Sequence, residues 1–138
     1  MPDQLALELM PNITELARLN TAIDAFGQGH HWSPKTLFQV KLALEEAVTN
    51  ILSYGFDGQQ TQLIWLKVVQ EGRLLSIVLT DNGTPFDPLE RPPPDLDSNL
   101  EDRMVGGLGV YLIRQMMDNV SYQRQDGCNK LCMMKNVV

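Results

Sequence analysis

Two stretches of this chain each read as a pair of extended runs folded about a glycine turn, and that pairing constrains the fold more than any other feature. Thr61 to Gln70 and Arg73 to Thr80 flank Glu71-Gly72. Val120 to Gln125 and Cys128 to Asn136 flank Asp126-Gly127, a dipeptide suited to the two-residue turns that match strand twist. Hairpins build antiparallel ladders, because a parallel pair needs a crossover of a dozen or more residues. With helical segments interspersed, the order is strand, helix, helix, hairpin, long loop, helix, hairpin. That order predicts an α+β two-layer sandwich: a mixed, mostly antiparallel sheet covered on one face by helices.

The helices are legible from spacing and caps. Leu5 to Leu9 alternates loosely, as an edge strand would, and Pro11-Asn12 ends it. Asn12 is expected to cap the first helix with Glu15 at the third position, a capping-box-like start. Leu16, Leu19, Ile23 and Phe26 follow at helical spacing, and Gly27 and Gly29 are expected to stop that helix. The second helix has Ser33 as N-cap and Pro34 at the first position, where a missing N–H costs nothing. Leu37, Val40, Leu44, Val48 and Ile51 form its apolar stripe, and Gly55 is the expected C-cap. A third helix follows Gly106-Gly107-Leu108-Gly109 through Leu112, Ile113, Met116 and Met117, ending at Asp118-Asn119.

A length of 138 residues suits one domain, here 1–138. The net charge of −6 repels phosphate backbones and argues against direct nucleic-acid binding. The N-terminus has neither the basic nor the apolar region of a signal peptide, and no apolar stretch reaches the roughly 20 residues of a membrane span. Cys128 and Cys132, if on one strand, lie about 13 Å apart. A disulfide needs less than about 7 Å. Reduced thiols in a cytoplasm are the expected state.

Residues 84 to 105 break the pattern. Pro85, Pro88 and Pro92-Pro93-Pro94 exclude regular helix or central strand. Asp87, Glu90, Asp95, Asp97, Glu101 and Asp102 outnumber Arg91 and Arg103 across 87–103. A connection of this length fits either an active-site lid or a solvated loop, and lids favour it.

Three groups carry chemistry. Glu46 and Asn50 sit one helical turn apart, within about 40° on one face and well off the apolar stripe, while Glu45 points elsewhere. A carboxylate there can accept a proton and an amide oxygen can ligate Mg²⁺, although from these two residues alone an ordinary solvated face is the better reading. Asp81-Asn82-Gly83 ends a strand: the carboxylate can accept from an exocyclic amine and the glycine admits a close approach, or the tripeptide is only a turn. Gly106-Gly107-Leu108-Gly109 opens a helix, whose N-terminal N–H groups suit a polyphosphate, or it is a flexible hinge. It is neither a Walker A loop nor the dinucleotide fingerprint.

In combination these stretches resemble a known family. Glu46-Ala47-Val48-Thr49-Asn50, Asp81 to Pro88 and Gly106 to Ile113 are similar to the bacterial anti-sigma-factor serine kinases, within the ATPase superfamily shared with gyrase, Hsp90, histidine kinases and MutL. The resemblance runs from about residue 11 to 136 and implies the Bergerat ATP-binding fold. It implies ATP and Mg²⁺ as cofactors, with Asn50 on the metal and Glu46 as the base for a substrate serine. Asp81 would bond the adenine amine and Gly83 would let the ring approach. Gly107 and Gly109 would bind phosphates, with Gly106 and Leu108 in the same turn. Residues 87–105 would be the ATP lid, with Arg103 its cation, and Asn129, in an Asn129-Lys130-Leu131 match to the strand near the pocket floor, would touch the nucleotide.

The implied partners are an anti-anti-sigma (STAS) protein as substrate, a sigma factor as the sequestered protein, and a second copy in a homodimer. The chain departs from the family at Ser53-Tyr54-Gly55, where a histidine is common, and in the acidic, proline-rich lid. Those departures motivate the alternative of a nucleotide-binding partner switch without phosphoryl transfer. A histidine-kinase catalytic domain fits less well, because no phosphoacceptor helical pair is present. The motifs of eukaryotic-type protein kinases are missing.

Overall fold

The computed structural model describes residues 3–56, 62–90 and 108–137. Alternation along the strands selects the buried face: Leu75, Ile77, Leu79 and Asp81 are buried on one strand, and Asn129, Leu131, Met133 and Lys135 on another. The strands are β1 (Gln4–Leu9), β2 (Ile64–Glu71), β3 (Leu74–Asp81), β4 (Asn119–Gln125) and β5 (Cys128–Asn136). They form one sheet in the order β1-β2-β3-β5-β4, and every pair is antiparallel. The mixed character expected of the sheet is therefore not found among the described residues. β1 takes the edge, as its loose alternation suggested.

The second hairpin turns at Asp126 (φ 53°) and Gly127 (φ 77°), the paired positive dihedrals of a type I′ turn. The first turns at Gly72-Arg73 rather than Glu71-Gly72, because the glycine supplies the one positive φ (59°) as the first turn residue and Glu71 remains paired with Leu74. Cys128 and Cys132 share β5 and are free thiols.

The helices α1 (Glu15–Gly29), α2 (Pro34–Asn50) and α3 (Leu108–Met116) contribute to a single core with the sheet. Leu19, Ile23, Val40 and Leu44 from the helices join Ile64, Leu66, Ile77 and Met133 from the strands, all at most 2% exposed. Burying each of these contributes roughly 1.5–3 kcal/mol. Among the described residues no helix is long and apolar enough to cross a membrane.

Three helix-end expectations need correction. Asn12 does not cap α1: its Oδ1 accepts from Thr14 N–H at 3.0 Å, and Glu15 reaches back to Met10 N–H instead. The local turn satisfies the amide before the helix begins at Glu15. Gly27 does not stop α1 but lies inside it, because Trp32 packs there and a β-carbon would sit 2.7 Å from its ring. Gly55 does not cap α2 directly. The chain continues from Asn50 into a π-helical turn, Ile51–Gly55, and leaves it through the extended Phe56. By contrast, Ser33 caps α2 as expected, its hydroxyl accepting from Thr36 N–H at 3.1 Å.

Two contacts fix α3 over the sheet. The Lys135 ammonium, 9% exposed, donates to the Met116 carbonyl at 2.8 Å, a cation on the helix C-terminus. Asp118 N–H donates to the Met134 carbonyl, and the Asp118 carboxylate accepts from Asn136 N–H. The opposite end of α3 lies against the C-terminal turns of α2, where Gly109 meets Glu46 and Asn50.

Candidate active site

Strand alternation brings Asp81 to the helix-covered face at the end of β3, 3% exposed. The ladder then sets its neighbours. Asp81 pairs with Asn129 on β5, and Asn129 pairs with Arg124 on β4, so the three form one row across adjacent strands. Asp81 Oδ1 accepts from Gly83 N–H at 2.9 Å and from Asn129 Nδ2 at 3.0 Å. Burial pushes the Asp81 carboxyl above its ordinary value, and the bonds from Asn129 and Gly83 and the charge of Arg124 oppose that rise.

The segment after Asp81 is pinned to the π-helical turn. Thr84 donates its N–H to the Gly55 carbonyl at 2.8 Å and its hydroxyl at 3.1 Å. A β-carbon on Gly83 would lie 2.2 Å from the Gly55 oxygen. The glycine is thus required by backbone packing, independently of any ring that approaches it. Asn82 holds the other side, its Oδ1 accepting from Leu63 N–H at 2.7 Å. Tyr54 stacks on Phe86 with ring centroids 5.4 Å apart and an interplanar angle of 22°. Tyr54 is itself exposed and backs Phe86, which lines the pocket, from outside the lining.

These elements surround a small, mostly apolar pocket with a few convergent polar groups. Ala47, Ile51, Phe86, Pro88, Tyr122 and Leu131 give it apolar walls, and Asn50, Asp81 and Asn129 supply polar groups. Such a cavity suits a flat heteroaromatic ring that must also meet a carboxylate.

Glu46 and Asn50 stand on the side of α2 that faces α3. A β-carbon on Gly109 would be 2.8 Å from Glu46 Oε2 and 3.5 Å from Asn50 Nδ2. The N-terminal turn of α3 therefore abuts both side chains, and its partial positive charge is close to them. Burial, and then the charge of Glu45, push the Glu46 carboxyl above its ordinary value. Glu45 itself is exposed.

Asn50 is 8% exposed, and its Nδ2 is a buried amide nitrogen without a hydrogen-bond partner among the described residues. A half-turn of the amide places the oxygen at the same point. That orphaned amide is a hard oxygen donor of the kind Mg²⁺ takes beside waters and substrate phosphate oxygens.

Asn50, Asp81 and Asn129 thus line one pocket, Gly83 backs it, and Glu46 and Gly109 adjoin it. Leu108 begins α3. Arg103, Gly106, Gly107 and the expected lid beyond residue 90 lie outside the described residues. Tyr122 is not among the residues singled out from the sequence, and Arg124 stands out there only as one of the few basic residues of the last hairpin. Arg124 donates to the Gly83 carbonyl at 2.9 Å and to Asn129 Oδ1 at 3.2 Å, and the Tyr122 hydroxyl donates to the same Oδ1. The Asp126-Gly127 turn places Arg124 opposite Asn129, which is the one local signal for it.

The chain is similar to known proteins over most of its length. The histidine kinase-like ATPase domain family matches residues 9–135. The serine/threonine-protein kinase BtrW of Bordetella bronchiseptica is 38% identical over 100 residues, which cover 72% of this chain and 70% of that protein. The serine-protein kinase RsbW of Listeria monocytogenes is 31% identical over 133 residues, covering 92% and 83% respectively. A solved structure of the RsbU and RsbW domains of Rv1364c from Mycobacterium tuberculosis superposes with a TM-score of 0.68 at 10% identity. The match covers 99% of this chain and 33% of that one, and it bears on the fold alone.

Proposed function

The chain belongs to the histidine kinase-like ATPase family and, within it, to the bacterial serine-protein kinases; from that premise we propose that it transfers the γ-phosphoryl group of ATP to a serine of an anti-anti-sigma (STAS) protein and, in its other state, sequesters a sigma factor. A homodimer in a cytoplasm is part of the same reading. The observation that carries it is that Asn50 and Asp81 line one pocket while Glu46, one turn from Asn50, meets the first turn of α3 at Gly109.

Each residue has a task in this reading. Asp81 accepts a hydrogen bond from the adenine amine, and the apolar walls exclude water from the ring. The first turn of α3, with Gly109, faces the phosphates with backbone N–H groups. Asn50 would hold Mg²⁺, which when bound neutralises charge on the phosphate oxygens. Glu46 takes the proton from the serine hydroxyl as its oxygen bonds to the γ-phosphorus and ADP leaves. Its raised basicity favours that role at neutral pH. Gly106, Gly107, Leu108 and Arg103 belong to the same phosphate-facing assignment.

The test is calorimetric titration with Mg·ADP and Mg·ATP, comparing wild type with Asp81→Asn, followed by mass spectrometry of candidate STAS partners incubated with protein and Mg·ATP. Saturable binding that Asp81→Asn abolishes, together with phosphoserine on one partner, is expected. Binding with no phosphoserine on any partner would favour sequestration as the output. Absence of nucleotide binding would refute the proposal.

A further inference from the structure

Asn129 lies within β5, 4% exposed, and its amide is saturated by the protein. Nδ2 donates to Asp81 Oδ1 at 3.0 Å and to the Thr84 carbonyl at 2.8 Å. Oδ1 accepts from the Tyr122 hydroxyl, from Arg124 Nη1 at 3.2 Å and from Phe86 N–H at 3.3 Å. A primary amide has two hydrogens to donate, and both are used.

The surrounding groups also dictate the orientation of the amide. Arginine donates at every accessible pH, and a backbone N–H can only donate. Burial pushes the Tyr122 phenol above its ordinary value, so it too keeps its proton at neutral pH. A reversed amide would set its N–H groups against donors and its oxygen against the Asp81 carboxylate. The orientation observed commits Asp81 Oδ1 twice, to Asn129 and to Gly83 N–H, so both of these bonds end on the same oxygen.

We propose that Asn129 is a positioning residue rather than a contact to the base, and that Tyr122 and Arg124 set nucleobase selectivity through it. They orient the amide, the amide holds Asp81 Oδ1, and Oδ2 is presented to the ring. A carboxylate oxygen so presented accepts from the exocyclic amine of adenine and repels the carbonyl at the same ring position of hypoxanthine or guanine. This inference rests on the adenine-nucleotide reading of the pocket. It replaces the expectation that Asn129 touches the nucleotide directly.

The experiment titrates ADP and inosine diphosphate into wild type, Asn129→Asp and Tyr122→Phe between pH 5.5 and 8.5. Asn129→Asp sets a second carboxylate oxygen against Asp81 Oδ1 and the Thr84 carbonyl, so the pair must share a proton. The titratable and charged groups facing the pair are Tyr122 and Arg124 from β4 and Asp87 beyond β3. Asn50 of α2 and the Ile51–Gly55 turn contribute no titrating group to the pocket wall.

Wild type is expected to prefer ADP with little dependence on pH. Asn129→Asp is expected to lose about tenfold in ADP affinity as pH rises across this range, and to regain it on acidification. Tyr122→Phe is expected to narrow the ADP preference by roughly threefold to tenfold, with the affinity for inosine diphosphate unchanged. An Asn129→Asp protein with the wild-type pH profile and selectivity would overturn the proposal. If that variant does not fold, Tyr122→Phe decides: an unchanged ADP preference overturns the proposal and a narrowed one supports it. Wild-type protein that binds neither nucleotide overturns the site reading itself, and the proposal with it.

Discussion

The backbone of Gly109 abuts the carboxylate of Glu46 so closely that a β-carbon at position 109 would sit 2.8 Å from Oε2. Sixty-three positions separate the two residues in the chain, and the docking of α3 against α2 joins them. Gly109→Ala should therefore leave the fold intact, because the neighbouring atom is the movable end of a side chain and alanine favours the helix by about 1 kcal/mol. The displaced carboxylate should cost phosphoryl transfer about 10²-fold. Thermal melting beside a phosphoserine assay checks both halves.

Glu46→Gln keeps the shape of the side chain but removes its proton affinity. Nucleotide affinity should stay within about twofold of wild type while transfer falls by roughly 10²–10⁴. In the wild type, transfer should fall as pH drops through the Glu46 titration. Burial and Glu45 move that inflection above the ordinary value of a glutamate. Single-turnover rates from pH 5 to 8 would show it, and a wild-type rate independent of pH would refute the assignment of the base.

Asp81→Asn separates binding from stability. The folded-state carboxyl is raised above its unfolded value, so its ionisation opposes folding. Its contribution to stability is fully present below the unfolded value and is lost as pH rises through the raised one. The amide can keep the bonds from Gly83 and Asn129 without the buried charge. At neutral pH the variant should melt at or above the wild-type temperature while losing ADP binding. Its advantage should shrink as pH falls through the carboxylate range, which melting curves at several pH values test directly.

Gly83→Ala acts on the backbone instead. The added carbon would meet the Gly55 oxygen at 2.2 Å, and neither group is a flexible side chain. The segment 81–86 must then move off the π-helical turn. A loss of about 1–3 kcal/mol in urea unfolding is expected, together with weaker ADP binding.

Ser33→Ala tests a remote control. Removing the oxygen that accepts from Thr36 N–H should cost about 1 kcal/mol of stability. Glu46 and Asn50 lie more than three helical turns away, so nucleotide affinity should not change.

The amino-acid order by itself determined the parts governed by short-range rules. The Asp126-Gly127 turn set the β4–β5 register, Ser33-Pro34 set the start of α2, and the helical period put Glu46 and Asn50 on one face. These follow from dihedral preferences and periodicities that extend over a few residues. Tertiary structure alone decided that Gly27 lies within a helix under Trp32, that Asn50 is buried under α3 despite lying off the apolar stripe, and that Asp81 meets Asn129 across 48 residues of chain. Burial and hydrogen-bond partners there depend on which elements pack together, and the free energy of that packing outweighs the roughly 1 kcal/mol that local propensity contributes at any one position.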